Sequence, residues 1–200
     1  MADRNDFSGD IAAISQLVLQ ERQGRDRGWW DQMRSCFAED STVRLSWFRG
    51  SGADFVTGSE RMAARGDTAV HRLSPPVIHL EGDRALVEMP AVIEMRTAVD
   101  GIEVDLDSAA RLYYRVARRN GGWLVRSLDP VYERDSLIAA HPGVYLPIGP
   151  EEVAGFRPSY RFISYVLARR GYPVGDDLYG DDRPDEASDF YQAAFFWLRG

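Results

Sequence analysis

Three histidines, His71, His79 and His141, are the residues of this 200-residue chain from which proton chemistry near neutrality would start. His71 lies in "AVHRLSP", residues 69–75, where the pattern reads as the start of a β-strand with turn chemistry behind it at Pro75-Pro76. A ring at a half-buried strand position is either a satisfied filler or a proton-transfer group, and its partners decide which. His79, at a strand end, and His141, in a loop, read as surface residues. Nothing predicts that the three rings converge, so no metal site is expected. The single cysteine, Cys36, sits between Met33 and Phe37 and reads as a small buried hydrophobe. All 24 basic residues are arginine, which removes Schiff-base chemistry and the phosphate-loop lysine. Neither G-x-G-x-x-G nor G-x-S-x-G occurs. Nucleotide cofactors and the usual serine-hydrolase elbow thereby lose support.

The elements that would position such groups fall into three stretches. "DIAAISQLVLQERQGRDRG" places Ile11, Ile14, Leu17 and Val18 at helical spacing, with Gly24 and Gly28 where the helix weakens and stops. "WWDQMRSCFAED" reads as a second, short helix, "STVRLSWF" as a strand, and "ADFVTGSERMAAR" as a helix opened by a capping box at Thr57–Glu60. From Thr68 to Asp135 the pattern changes to long strands separated by "EGDR", "VDG" and "RNGG". Pro90 inside the first long strand removes a ladder donor and so implies a bulge or an edge. Helices first and antiparallel strands afterwards predict an α+β fold with helices on one face of a curved sheet.

Beyond Asp135 come the loop "AAHPGVYLPIGPEE", a helix "SYRFISYVLARRGY", an acidic loop "GDDLYGDDRPDE" read as a solvated connection, and a last helix "ASDFYQAAFFWLRG". Tyr160, Ile163, Val166 and Leu167 form one apolar stripe, and Phe190, Ala194, Trp197 and Leu198 another. Such helices need a surface, either the sheet or a second copy of the chain. The net charge of −7 and the scatter of the arginines argue against nucleic acid and anionic membranes as partners. No apolar run is long enough to span a bilayer, and "MADRNDFSGD" lacks the pattern of a secretory signal, so a cytoplasmic protein is expected.

A helix, "D-x-x-x-W", a short strand, then a histidine opening a meander that ends "GGWLVRSLDPVYERD" resembles the SnoaL-like branch of the nuclear transport factor 2-like superfamily, over roughly residues 8–138. That superfamily includes scytalone dehydratase, polyketide cyclases, ketosteroid isomerases and the small subunits of ring-hydroxylating dioxygenases. The resemblance implies a cone-shaped α+β barrel, a strongly bent sheet around the N-terminal helices with a pocket at its wide end. Residues 1–138 would form this domain and 139–200 a C-terminal helical extension, packed on it or on a neighbouring subunit.

Residue by residue, the dehydratase aspartate falls on Asp26 in "DRGWWDQMRSCF", and the family's strand histidine on His71. A second family histidine falls on Glu94, a change of residue type, and the dehydratase tyrosine of the short strand falls on Trp47, which offers only an N–H donor. Tyr113 or Tyr132 would then supply the missing phenol. Ser108 matches a polar pocket position, and Arg111, which alternates onto one face with Tyr113 and Arg115, is either an anion- or carbonyl-binding group or an ion-paired one. The resemblance thus implies catalysis by Asp26, His71 and Glu94, substrate contacts from Trp47, Ser108, Arg111 and Tyr113, and no cofactor. The expected activity is that of a lyase or isomerase acting on a small apolar cyclic ketone or alcohol, by a homo-oligomer (dimer or trimer). A non-catalytic ligand carrier and a structural subunit are the alternatives.

Overall fold

Three long strands carry the architecture: β5 (Arg84–Val99), β6 (Ile102–Arg119) and β7 (Gly122–Ala139), seen in a computed structural model that describes residues 7–200. Their turns follow from residue chemistry. Asp100 and Asn120 have φ of 50° and 49°, and the glycines after them, Gly101 and Gly121, 81° and 82°. Two successive positive φ values make the tight hairpin whose twist matches the strands it joins. Around this meander lie α1 (Ser8–Arg27), α2 (Trp30–Ser35), β1 (Phe37–Arg44), β2 (Arg49–Ser51), α3 (Gly52–Ala64), β3 (Val70–Leu73) and β4 (Val77–Glu81). The tail adds α4 (Pro150–Val153), a 3-10 turn at Pro158–Tyr160, α5 (Arg161–Arg169), β8 (Tyr179–Gly180) and α6 (Pro184–Arg199).

The sheet runs β2-β1-β7-β6-β5-β3, with β4 also on β5 and β8 on β7. It is antiparallel except where β1 and β8 join β7 in parallel. It stays open, so the expected cone is a bent sheet and not a closed barrel. Pro90 sits where β4 gives way to β3: its carbonyl accepts the Ser74 N–H at 2.9 Å, and no ladder bond needs the N–H it lacks.

On the inner face, Ile14 and Val18 of α1, Met33 of α2 and Phe55 of α3 pack against Met89, Leu112, Tyr114 and Val125. Beside them, Ile163, Val166 and Leu167 of α5 pack with Tyr160 against Met95, Leu106 and Tyr132. On the outer face, Phe190, Ala194 and Leu198 of α6 cover Leu86, Tyr113 and Val131. Each large side chain so buried contributes about 1.5–3 kcal/mol. The tail therefore clasps the sheet from both faces.

Several local expectations need correction. Phe37–Asp40 is strand, not the end of the second helix: Phe37 pairs with Val125, and that tertiary pairing overrides a weak helical pattern. The third helix is capped by Ser51, whose hydroxyl accepts the Asp54 N–H, while Thr57 lies inside the helix bonded to the Ala53 carbonyl. Ile11 faces solvent. The acidic loop is no solvated connection: Asp177, Asp181 and Asp182 pair with Arg49, Arg111 and Arg157 at 2.6, 2.5 and 2.7 Å.

Candidate active site

The buried stripe of α1 changes character along its length. Ile14, Leu17 and Val18 are followed at the same helical spacing by Glu21, Arg22 and Arg25, all buried. Gly24 lets α2 approach, because a Cβ there would stand 2.9 Å from the Met33 nitrogen. Gly28, at φ 69°, ends the helix in the left-handed conformation that glycine adopts without penalty. The last turn of α1 is thereby held against β3, with Asp26 facing the strand.

Asp26 Oδ1 lies 2.6 Å from Nδ1 of His71, and Oδ2 accepts the His71 backbone N–H at 2.8 Å. One carboxylate thus grips both the backbone and the ring of β3. The Nδ1 contact assigns the ring proton to Nδ1 and leaves Nε2 with its lone pair. Arg22 Nη1 reaches Nε2 at 3.4 Å, a long contact. Burial pushes the imidazole below its usual value, aided by Arg22 and Arg25 and opposed by Asp26, so the ring is neutral near about pH 7. Burial alone would raise the Asp26 carboxyl, but the hydrogen bonds from His71 hold it below the usual range.

The neighbouring ion pair is complete in itself. Arg22 donates from Nε and Nη2 to Glu21, and the Tyr114 hydroxyl donates to the same carboxylate at 3.1 Å. These groups adjoin a cavity of about 50 Å³. Its walls include Arg22, Arg25, Trp47, Phe55, Met62, His71, Ile93, Leu112 and Tyr132, closed by Ile163 and Leu167 of α5. Trp47 stands in the turn after β1, against Phe55 and Tyr172, not in the strand itself. The Tyr132 hydroxyl accepts the Ser46 N–H at 3.2 Å, which leaves its own proton free to donate.

Four other anticipated site residues are elsewhere. Glu94 is paired across the sheet with Val70, whereas His71 is paired with Ile93, so Glu94 faces the opposite side. It binds Arg72 at 2.9 Å in a half-exposed pair. Arg111 is also on the outer face, occupied by Tyr191, Glu133 and Asp181. Tyr113 lies under α6 against Phe190 and Tyr191, and burial pushes its hydroxyl up to about 12. Ser108 does face inward, between Ile93 and Asp135, but it is fully buried outside the cavity lining and its hydroxyl has no partner among the described residues. Glu21, Arg22 and Arg25 were not anticipated; the signal was available in the α1 stripe, continued two turns past Val18.

No group of three or more His, Cys, Asp or Glu side chains among the described residues is placed to hold a metal ion. No helix there is long and apolar enough to cross a membrane. Burial pushes the Cys36 thiol up to about 12, so no thiolate nucleophile is available.

A bent sheet enclosing helices, with an Asp–His pair at the inner end of the first helix, defines a protein of the nuclear transport factor 2-like fold. Two of the solved structures that share that fold are similar over most of their length. A hexachlorocyclohexane dehydrochlorinase, LinA-type3, of Novosphingobium barchaimii matches with a TM-score of 0.58 at 17% identity, over 72% of this chain and 98% of that one. A candidate scytalone dehydratase of Novosphingobium aromaticivorans matches with a TM-score of 0.52 at 18% identity, over 71% and 95%. Within that fold the chain belongs to the SnoaL-like family, whose domain model matches residues 7–129. A PEP2-like protein of Fusarium vanettenii is 32% identical over 96% of this chain and 88% of its own length, so the similarity extends through the tail.

Proposed function

We propose that the protein is a cofactor-independent lyase or isomerase in which His71 is the base and Asp26 its orienting carboxylate. The substrate class is a small, largely apolar cyclic ketone or alcohol. His71 Nε2 removes a proton from carbon next to a carbonyl, and the C–H electron pair moves onto the carbonyl oxygen as an enolate. Asp26 stabilises the imidazolium this creates. The proton then returns to another carbon, giving isomerisation, or to a leaving hydroxyl as the enolate collapses and expels it, giving dehydration. No second acid is needed, because the imidazolium carries the proton through both halves; Glu94 has no part.

The observation that supports this reading is the 2.6 Å Asp26–His71 contact beside a largely apolar cavity. The names of the two structural neighbours, a dehydrochlorinase and a dehydratase, fit elimination chemistry. At about 50 Å³ the cavity has room for one or two waters, so a cyclic substrate requires it to widen. The test is deuterium exchange into a panel of cyclic ketones and β-hydroxyketones, followed by NMR. Exchange above buffer, lowered about 10²–10⁴-fold in His71→Ala, is expected. Equal exchange in His71→Ala removes the base assignment, and binding without exchange favours a ligand carrier.

A further inference from the structure

The ionisable groups around the cavity are paired with one exception. Glu21 is matched by Arg22 and Tyr114, and Asp26 by His71. Arg25 is 6% exposed and lines the cavity, yet its one side-chain hydrogen bond runs from Nη2 to the Met62 sulfur at 3.2 Å. No carboxylate lies within ion-pair distance of it among the described residues. Thioether sulfur is a weak acceptor, so the guanidinium makes one weak bond within the described residues, and its other nitrogens are not sealed off as unpartnered buried atoms. A buried guanidinium without an anion in contact is a costly arrangement, and burial, with Arg22 nearby, holds Arg25 down to about 10.

The charge balance says what would complete it. With His71 neutral, the carboxylates of Glu21 and Asp26 balance the guanidiniums of Arg22 and Arg25. Once His71 accepts a proton the cluster carries one excess positive charge, and the deprotonated substrate carries the matching negative one. Arg22 already spends two donors on Glu21, whereas Arg25 has donors open beside the cavity. We propose that Arg25 is the oxyanion-binding residue of this site, donating to the substrate oxygen on which negative charge develops. The substrate class narrows accordingly to compounds whose acidic C–H adjoins a carbonyl able to become an enolate. This rests on the reading of His71 as the base, but it can be tested without turnover.

Formate is the probe, a three-heavy-atom carboxylate on the scale of the cavity. The His71 ring is titrated by NMR with and without formate, with His79 and His141 as internal references. Bound formate should raise the His71 pKa by about one unit, saturably, while the other two rings stay put. In Arg25→Met, where the new side chain fills the space beside Met62, formate should bind at least about tenfold more weakly. Arg25→Gln, which keeps polarity and removes the charge, gives the same comparison should the methionine variant not fold. No formate effect in the wild type, or an equal effect in the folded variant, overturns the proposal. Because the readout is ionisation and not exchange, loss of the Arg25 subsite and loss of the base assignment are separate results.

Discussion

Buried and half-buried arginines on the two faces of the sheet differ in the acceptors they find. On the outer face Arg111 is saturated by Glu133, Asp181 and Tyr191, and at the tail Arg157 holds Asp182 through two bonds while donating to the Asp176 and Leu178 carbonyls. Inside, Arg25 has a thioether. Where the chain supplies every acceptor, a guanidinium fastens two elements together; on the proposal above, the acceptor that Arg25 lacks is the substrate oxygen. A conspicuous arginine therefore says little about function until its acceptors are counted.

The largest effect expected from breaking this contrast is on the tail. Arg157→Met leaves Asp182 and two carbonyls without their donor and should cost about 3 kcal/mol or more, read as a lower melting temperature with early proteolysis beyond residue 139. Leu167→Ala removes part of the cavity roof and should cost about 2–4 kcal/mol while enlarging the space, so that ketones too large for the wild type undergo exchange.

Asp135 sharpens the comparison through pH. One of its oxygens accepts the Phe162 and Ile163 N–H groups at the start of α5, the other has no partner among the described residues, and burial raises its pKa to about 6. A carboxyl raised on folding stabilises the protein most below its unfolded value of 3.8, and that contribution fades as pH climbs through about 6. Asp135→Asn should flatten this dependence and stabilise the protein at neutral pH by on the order of 1–2 kcal/mol, seen in denaturant melts at several pH values. The smallest effect is at the half-exposed Arg72–Glu94 pair. Glu94→Gln should change stability by less than about 1 kcal/mol and leave exchange intact.

The sheet was legible because its turns are written in residue types: Asp-Gly and Asn-Gly steps stand where both φ values are positive, while Pro90 proved to mark no sheet edge but the point where β5 changes partner from β4 to β3. Phe37–Asp40 was not, since its strand state comes from pairing with β7, far along the chain. Asp26 and His71 could be aligned with a family pattern, whereas their 2.6 Å contact depends on where α1 ends. Glu94 misled because alternation fixes which residues share a face, but not which face is the inner one. Arg25 was missed for a different reason. Charged residues on a helix are read as solvated by default, and only the unbroken spacing from Ile14 shows that these are not.

On the proposed function, His71 rests as a neutral imidazole with its proton on Nδ1, held by Asp26, and its lone pair on Nε2. Ring nitrogen NMR on the three histidines at about pH 7 tests it most directly. The spectrum should show a protonated Nδ1 and a bare Nε2 for His71, with protonation setting in only below the ordinary histidine range and the tautomer shifting in Asp26→Asn. An imidazolium at that pH, or a proton resident on Nε2, would contradict the proposal.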